Sequence, residues 1–176
     1  MQSRPCCFWC LIPLACLMLS CSGGDRFERE AALEEVSVNL ARQADRYGYS
    51  LVTTDELAKM LQQGMAILLV DARTAESFRK GHIPAAESFT FPKGIVMNQS
   101  WNSALMGSRT PEQFRALLGE DMDRMLVFSC GRTRCDRGHN AALWAVKLGY
   151  RNVFRHPGGI EAWQGKGRQI VGSHSS

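Results

Sequence analysis

Apolar and polar positions along this chain alternate between two periods, and together they predict an α/β protein. Apolar residues recur at Phe27, Ala31, Val36, Leu40, Ala44 and Tyr47, close to the repeat of an amphipathic helix, and Gly48 can close it. Thr53 followed by Glu56 is a capping-box pair that opens a second helix, which Gly64 ends. Residues 65–70 form a short, unbroken aliphatic run ending at Asp71, the pattern of a parallel strand buried on both faces. Residues 86–89 predict a short strand and 92–109 a long loop. Thr110 then supplies an N-cap, and Pro111 a favourable first helical position, for a helix ending near Gly119. Residues 125–129 predict a second buried strand and 152–154 a third. A helix over about 139–148 stops at Gly149, and 159–164 forms a last helix. Strands alternating with helices imply a parallel sheet of about four to five strands covered by helices on both faces, with an extra N-terminal helix.

The chain's start follows a different pattern. Arg4 is the one charged residue among the first twenty, and an almost unbroken apolar run from Cys6 to Leu19 precedes Ser20 and Cys21. That run is shorter than the roughly 20 apolar residues a spanning helix needs, and no basic flank follows it. The layout is that of a cleaved signal peptide. Met18-Leu19-Ser20-Cys21 resembles a bacterial lipobox, which implies that Cys21 is lipidated and becomes the new N-terminus. The expected organisation is a signal at 1–20, a tether at 21–25, an N-terminal helix at 26–50, a domain at 51–170 and a flexible tail at 171–176. The protein would then sit in the cell envelope, lipid-anchored and facing the periplasm or the exterior.

Composition narrows the function. A chain of 176 residues that is 45% hydrophobic and 22% charged suits one domain with a proper core. A net charge of +4 leaves no nucleic-acid footprint. Removal of the signal and lipidation of Cys21 would leave only Cys130 and Cys135, which an exported protein could join in a local disulfide. A zinc site with His139 and His156 is a further arrangement, but the cysteine spacing and the nearby arginines argue against it.

Cys130 stands at the carboxyl end of the second strand, where α/β sheets place their sites and where helix N-termini expose unpaired amides. The loop that follows, Gly131-Arg132-Thr133-Arg134-Cys135-Asp136-Arg137-Gly138, carries glycines and three arginines. Converging amides, a helix dipole and guanidinium groups would stabilise a thiolate or a bound oxyanion there, so Gly131, Arg132, Thr133, Arg134, Asp136 and Gly138 are candidate binding residues. The same charges would lower the pKa of Cys130 and make it a nucleophile.

Four blocks in order resemble the rhodanese family over residues 51–167: Leu69-Val70-Asp71-Ala72-Arg73, Gly81-His82-Ile83-Pro84-Ala85-Ala86, Val127-Phe128-Ser129-Cys130, and Pro157-Gly158-Gly159-Ile160-Glu161-Ala162-Trp163. In the second block Ala85 replaces the family's usual glycine. The resemblance implies a sulfurtransferase in which Cys130 takes sulfane sulfur from thiosulfate or a persulfide and passes it to a thiol or cyanide. Arg137 would assist, and Asp71, Arg73 and His82 would support the site. It calls for no metal or organic cofactor, and its substrate is a small sulfur-containing anion or thiol. The active loop departs from the common pattern, with six residues rather than four between Cys130 and Arg137 and a second cysteine, Cys135, expected to act as a resolving thiol. The pattern looks like an exported subgroup of the family.

Other readings compete with this one. Cys130 and Cys135 could cycle as a redox pair, the loop could bind anions or persulfides without turnover, or the larger loop could serve phosphatase or arsenate reductase chemistry. Amides converging on an inward Cys130 would favour an enzyme, and bonded sulfurs would favour redox or structural use.

Overall fold

A computed structural model of the chain describes residues 23–96 and 99–172. The segment 1–20, Cys21, Ser22 and the tail beyond Gly172 therefore lie outside the described residues. Five strands form one sheet: β1 (Ser50–Leu51), β2 (Ile67–Asp71), β3 (Ala86–Ser88), β4 (Met125–Ser129) and β5 (Val153–His156), in the order β1-β5-β4-β2-β3. Every neighbouring pair runs parallel. The register sets Asp71, Ser129 and His156 abreast, so the segments that follow β2, β4 and β5 emerge at one edge of the sheet.

The unbroken aliphatic runs are explained by burial on both faces. Leu68, Val70, Leu126 and Phe128 pack on one side against Phe114 and Leu118 of α4 (Pro111–Leu118) and Ala141, Ala142 and Ala145 of α5 (Asp136–Lys147). The alternate residues Leu69 and Val127 face the other way, against Leu57 of α2 (Thr54–Gln62) and Trp163 of α6 (Gly159–Gly165). The helix starts follow local chemistry. Thr53 with Glu56, and Thr110 with Gln113, each form a complete capping box. Ala85 adopts φ +64, a left-handed conformation that favours glycine over residues with a Cβ.

Several boundaries differ from the expectations. The first helix, α1, spans Gly23–Tyr47 and so includes part of the expected tether. It is followed by a turn at Gly48 with φ +73 and by β1, a strand the pattern did not predict. Helix α3 (Ala75–Lys80) was also not predicted; it buries no side chain and so leaves no hydrophobic stripe, although Thr74 caps it by accepting from the Ser77 amide. Helix α5 begins at Asp136, not His139, so Arg137 and Gly138 belong to its first turn and the loop proper ends at Cys135. Val171, placed in the expected tail, pairs with His82 in an isolated antiparallel bridge.

Candidate active site at the end of the central strand

β4 lies in the middle of the sheet, and the loop that leaves it is held from both sides. From α6, the Ile160 amide donates to the Cys130 carbonyl at 3.0 Å and the Glu161 amide to the Gly131 carbonyl at 3.0 Å. This approach requires Gly159, which sits at φ +62; a Cβ there would stand 2.5 Å from the Cys130 oxygen and the Gly131 carbonyl carbon. From β5, Arg155 Nη2 donates to the Cys135 carbonyl at 3.2 Å. Within the loop, the Cys135 amide donates to the Arg132 carbonyl at 2.9 Å.

Cys130 is buried, and its Sγ is bonded to that of Cys135 across a Cα separation of 6.2 Å, inside the range disulfides span. Cys135 is also the N-cap of α5 and its side chain makes no capping hydrogen bond, so the sulfur pair sits at the positive end of that helix dipole. In this bonded form neither sulfur is a free nucleophile. Reduction would free Cys130 at the strand end.

Beside the loop lies a cleft of about 330 Å³ lined by Arg73, Lys93, Arg132, Arg134, Cys135 and Arg137, with Asp136 and Glu161 as its carboxylates. Of the candidate binding residues, Gly131, Arg132, Arg134 and Asp136 line this cleft. Thr133 and Gly138 do not: Thr133 turns toward α1, and Gly138 is buried against Cys130. Lys93 was not anticipated, because it belongs to the long loop after β3. That loop is tied across the cleft by α5, through Arg137 Nε to the Phe91 carbonyl at 2.9 Å and Asn140 Nδ2 to the Pro92 and Gly94 carbonyls at 3.0 and 2.9 Å. Partial burial lowers the pKa of the Arg137 guanidinium.

The three supporting residues divide. Arg73 chelates Asp71 through Nε and Nη2, reaches the Gly81 carbonyl at 2.6 Å, and still lines the cleft. Asp71 holds the Arg73 guanidinium in this clamp. His82 holds its own turn, with Nδ1 against the Phe78 carbonyl at 2.9 Å and its ring stacked on Phe78, and it does not line the cleft.

Behind Cys130 lies a buried polar layer. Ser129 Oγ meets His156 Nδ1 at 3.0 Å, and His156 Nε2 meets Thr54 Oγ1 at 2.9 Å. Tyr49 OH meets His139 Nδ1 at 2.7 Å. Burial pushes the pKa of each histidine down to about 4, and the Arg155 cation adds to the effect at His139, so both rings are neutral near pH 7. His139 and His156, the histidines of the disfavoured zinc arrangement, are both engaged in these hydrogen bonds. Arg155 itself, almost fully buried, was missed by sequence reasoning; the signal was an arginine inside a strand otherwise built for burial.

A parallel sheet that delivers a cysteine from its central strand into an amide-rich loop defines the class. The chain belongs to the rhodanese-like domain family, whose sequence profile matches residues 53–166. Among its relatives is the thiosulfate sulfurtransferase GlpE of Haemophilus influenzae, 32% identical over 114 residues that cover 64% of this chain and 85% of the relative. In fold it resembles the polysulfide-sulfur transferase homodimer of Wolinella succinogenes, with a TM-score of 0.52 and 16% identity over 81% of this chain and 93% of that one. It also resembles the rhodanese-like domain of the Anabaena protein Alr3790, with a TM-score of 0.51 and 18% identity over 70% and 79% of the two chains.

Proposed function

We propose that this protein is a sulfurtransferase that carries sulfane sulfur on Cys130 and releases it with the help of Cys135. The observation that supports this reading most is the placement of Cys130 at the end of the central strand, in a loop that borders a cationic cleft. The cycle begins when an external dithiol reduces the disulfide. The Cys130 thiolate then attacks the outer sulfur of thiosulfate; the S–S bond of thiosulfate breaks, sulfite leaves, and Cys130 becomes a persulfide. Arg73, Lys93 and Arg137 would hold the dianion and the departing sulfite. The persulfide passes its outer sulfur to an acceptor thiol or cyanide. Alternatively the Cys135 thiolate attacks Cys130 Sγ, expelling hydrosulfide and restoring the disulfide, so that two thiols are oxidised as one sulfane sulfur is reduced.

The test is intact mass after thiosulfate. Reduced protein should gain one sulfur atom at Cys130. Cys135→Ser should load fully and release sulfide at least about tenfold more slowly without added thiol, because the internal attacker is gone. Equal release from both proteins would remove Cys135 from the cycle. The bonded sulfurs favour a second reading, a thiol–disulfide redox protein; disulfide turnover with substrate thiols, and no sulfur gain on Cys130 in the Cys135→Ser protein, would establish that instead.

The location is part of the same proposal. Among the described residues no helix is long and apolar enough to cross a membrane. Membrane attachment would rest on a lipid at Cys21, because the short apolar run before it has the layout of a cleaved signal. Cys21→Ala should move the protein from the membrane to the soluble fraction. Unchanged membrane partitioning would refute the anchor.

A further inference from the structure

We infer that Arg155 is the buried counter-charge of the Cys130 anion, a positioning residue that sets the acidity of the nucleophile from behind the active loop. The inference deepens the proposed sulfur transfer and rests on Cys130 becoming anionic once the disulfide is opened.

Arg155 is 2% exposed, yet among the described residues no carboxylate lies within ion-pair distance of it. Its hydrogen-bond partners are neutral: Gln43 Oε1 of α1 accepts from Nη1 at 2.9 Å, the Cys135 carbonyl accepts from Nη2 at 3.2 Å, and the Tyr49 phenol, whose pKa burial raises, stands beside it as a further neutral partner. Glu35 and Asp136 line the same pocket between α1 and the loop without closing on it. A desolvated guanidinium without a counter-ion is costly, so a chain that keeps one has an anion to place beside it. That anion is close at hand. A Cβ built on Gly138 would lie 3.6 Å from Cys130 Cβ and 3.8 Å from Arg155 Nε, so the cysteine and the cation both border the same residue without a side chain.

The other cations near Cys130 are less suited to the task. Arg73 is paired with Asp71, Arg132 is exposed and faces Glu161, Lys93 and Arg134 are exposed to solvent, and Arg137 turns its Nε to the Phe91 carbonyl. His139 and His156 are held neutral by burial. Arg155 thus supplies the buried positive charge that remains uncompensated at this depth. In the oxidised protein the bonded sulfurs are neutral, and the guanidinium is held only by dipoles. Opening the disulfide creates its partner.

The measurement is the pH dependence of Cys130 alkylation by iodoacetamide, read by mass spectrometry of the Cys130 peptide in the full chain carrying Cys135→Ser. Arg155→Gln should raise the apparent thiol pKa by about one unit or more, leaving roughly tenfold less thiolate at neutral pH. Arg155→Lys should restore most of the shift. Gln43→Glu keeps the 2.9 Å acceptor on α1, preserves the fold, and gives Arg155 a carboxylate; it should raise the pKa in the same direction. The inference is overturned if Gln43→Glu leaves the profile unchanged, or if Arg155→Lys moves it as far as Arg155→Gln. Alkylation needs no sulfur donor. Profiles that shift as expected in a protein that never gains sulfur would therefore sink the sulfurtransferase reading while upholding the role of Arg155.

Discussion

Cys130→Ser should lower thiosulfate-dependent sulfur transfer by at least about a thousandfold while leaving the fold in place. The serine hydroxyl is far less acidic than a thiol and forms no persulfide, so neither the helix dipole of α5 nor the cations of the cleft can make it a substitute. The side chains are similar in size, so packing should tolerate the exchange. The thermal cost should come mainly from the lost disulfide. A bridge closing so short a loop stabilises by about 2 kcal/mol in the chain-entropy picture, and that difference should vanish when wild type and variant are both reduced. Sulfur gain by intact mass together with melts under oxidising and reducing conditions checks both statements. Sulfur loading that survives in Cys130→Ser would transfer the nucleophile to Cys135.

Gly159→Ala should be the most damaging single substitution that touches no reactive atom. At φ +62 a side chain already costs about 1 kcal/mol, and the added Cβ would stand 2.5 Å from backbone atoms of Cys130 and Gly131, where nothing can rotate aside. Relief requires α6 to withdraw, which breaks the Ile160 and Glu161 amide bonds that fix the first two loop residues. A loss of about 3 kcal/mol or more is expected, together with a fall in melting temperature of about 10 °C. Residual folded protein should load sulfur poorly, because the cysteine's carbonyl is no longer anchored. Gly165→Ala, in the same helix with open space around it, is the control and should be nearly neutral. Equal melting temperatures for the two variants would show that the loop does not depend on this contact.

What could be read in the sequence tracks how local its cause is. The strand over 125–129 and the capped helices at Thr53 and Thr110 depend on neighbouring residues and were legible to within a residue or two. Cys130 was legible because a strand end, a glycine and clustered arginines fall together in the chain. β1 was not, since its two exposed residues are ordered only by pairing with β5 a hundred positions away. The true start of α5 was hidden because Asp136, Arg137 and Gly138 carry no apolar period and include a residue that disfavours helix interiors. Lys93 and Arg155 escaped for the same reason as β1: each joins the site only through tertiary contacts, one across the cleft and one from beneath it.

The anchoring of the loop divides it into fixed and variable parts. Cys130 and Gly131 are tied to α6 and Cys135 to Arg155, while the side chains of Arg132, Thr133 and Arg134 take no part in these anchoring bonds. Those three positions can therefore be randomised as a compact library over a constant nucleophile. New donor or acceptor preferences are accessible by mutation there without first having to solve the folding problem again.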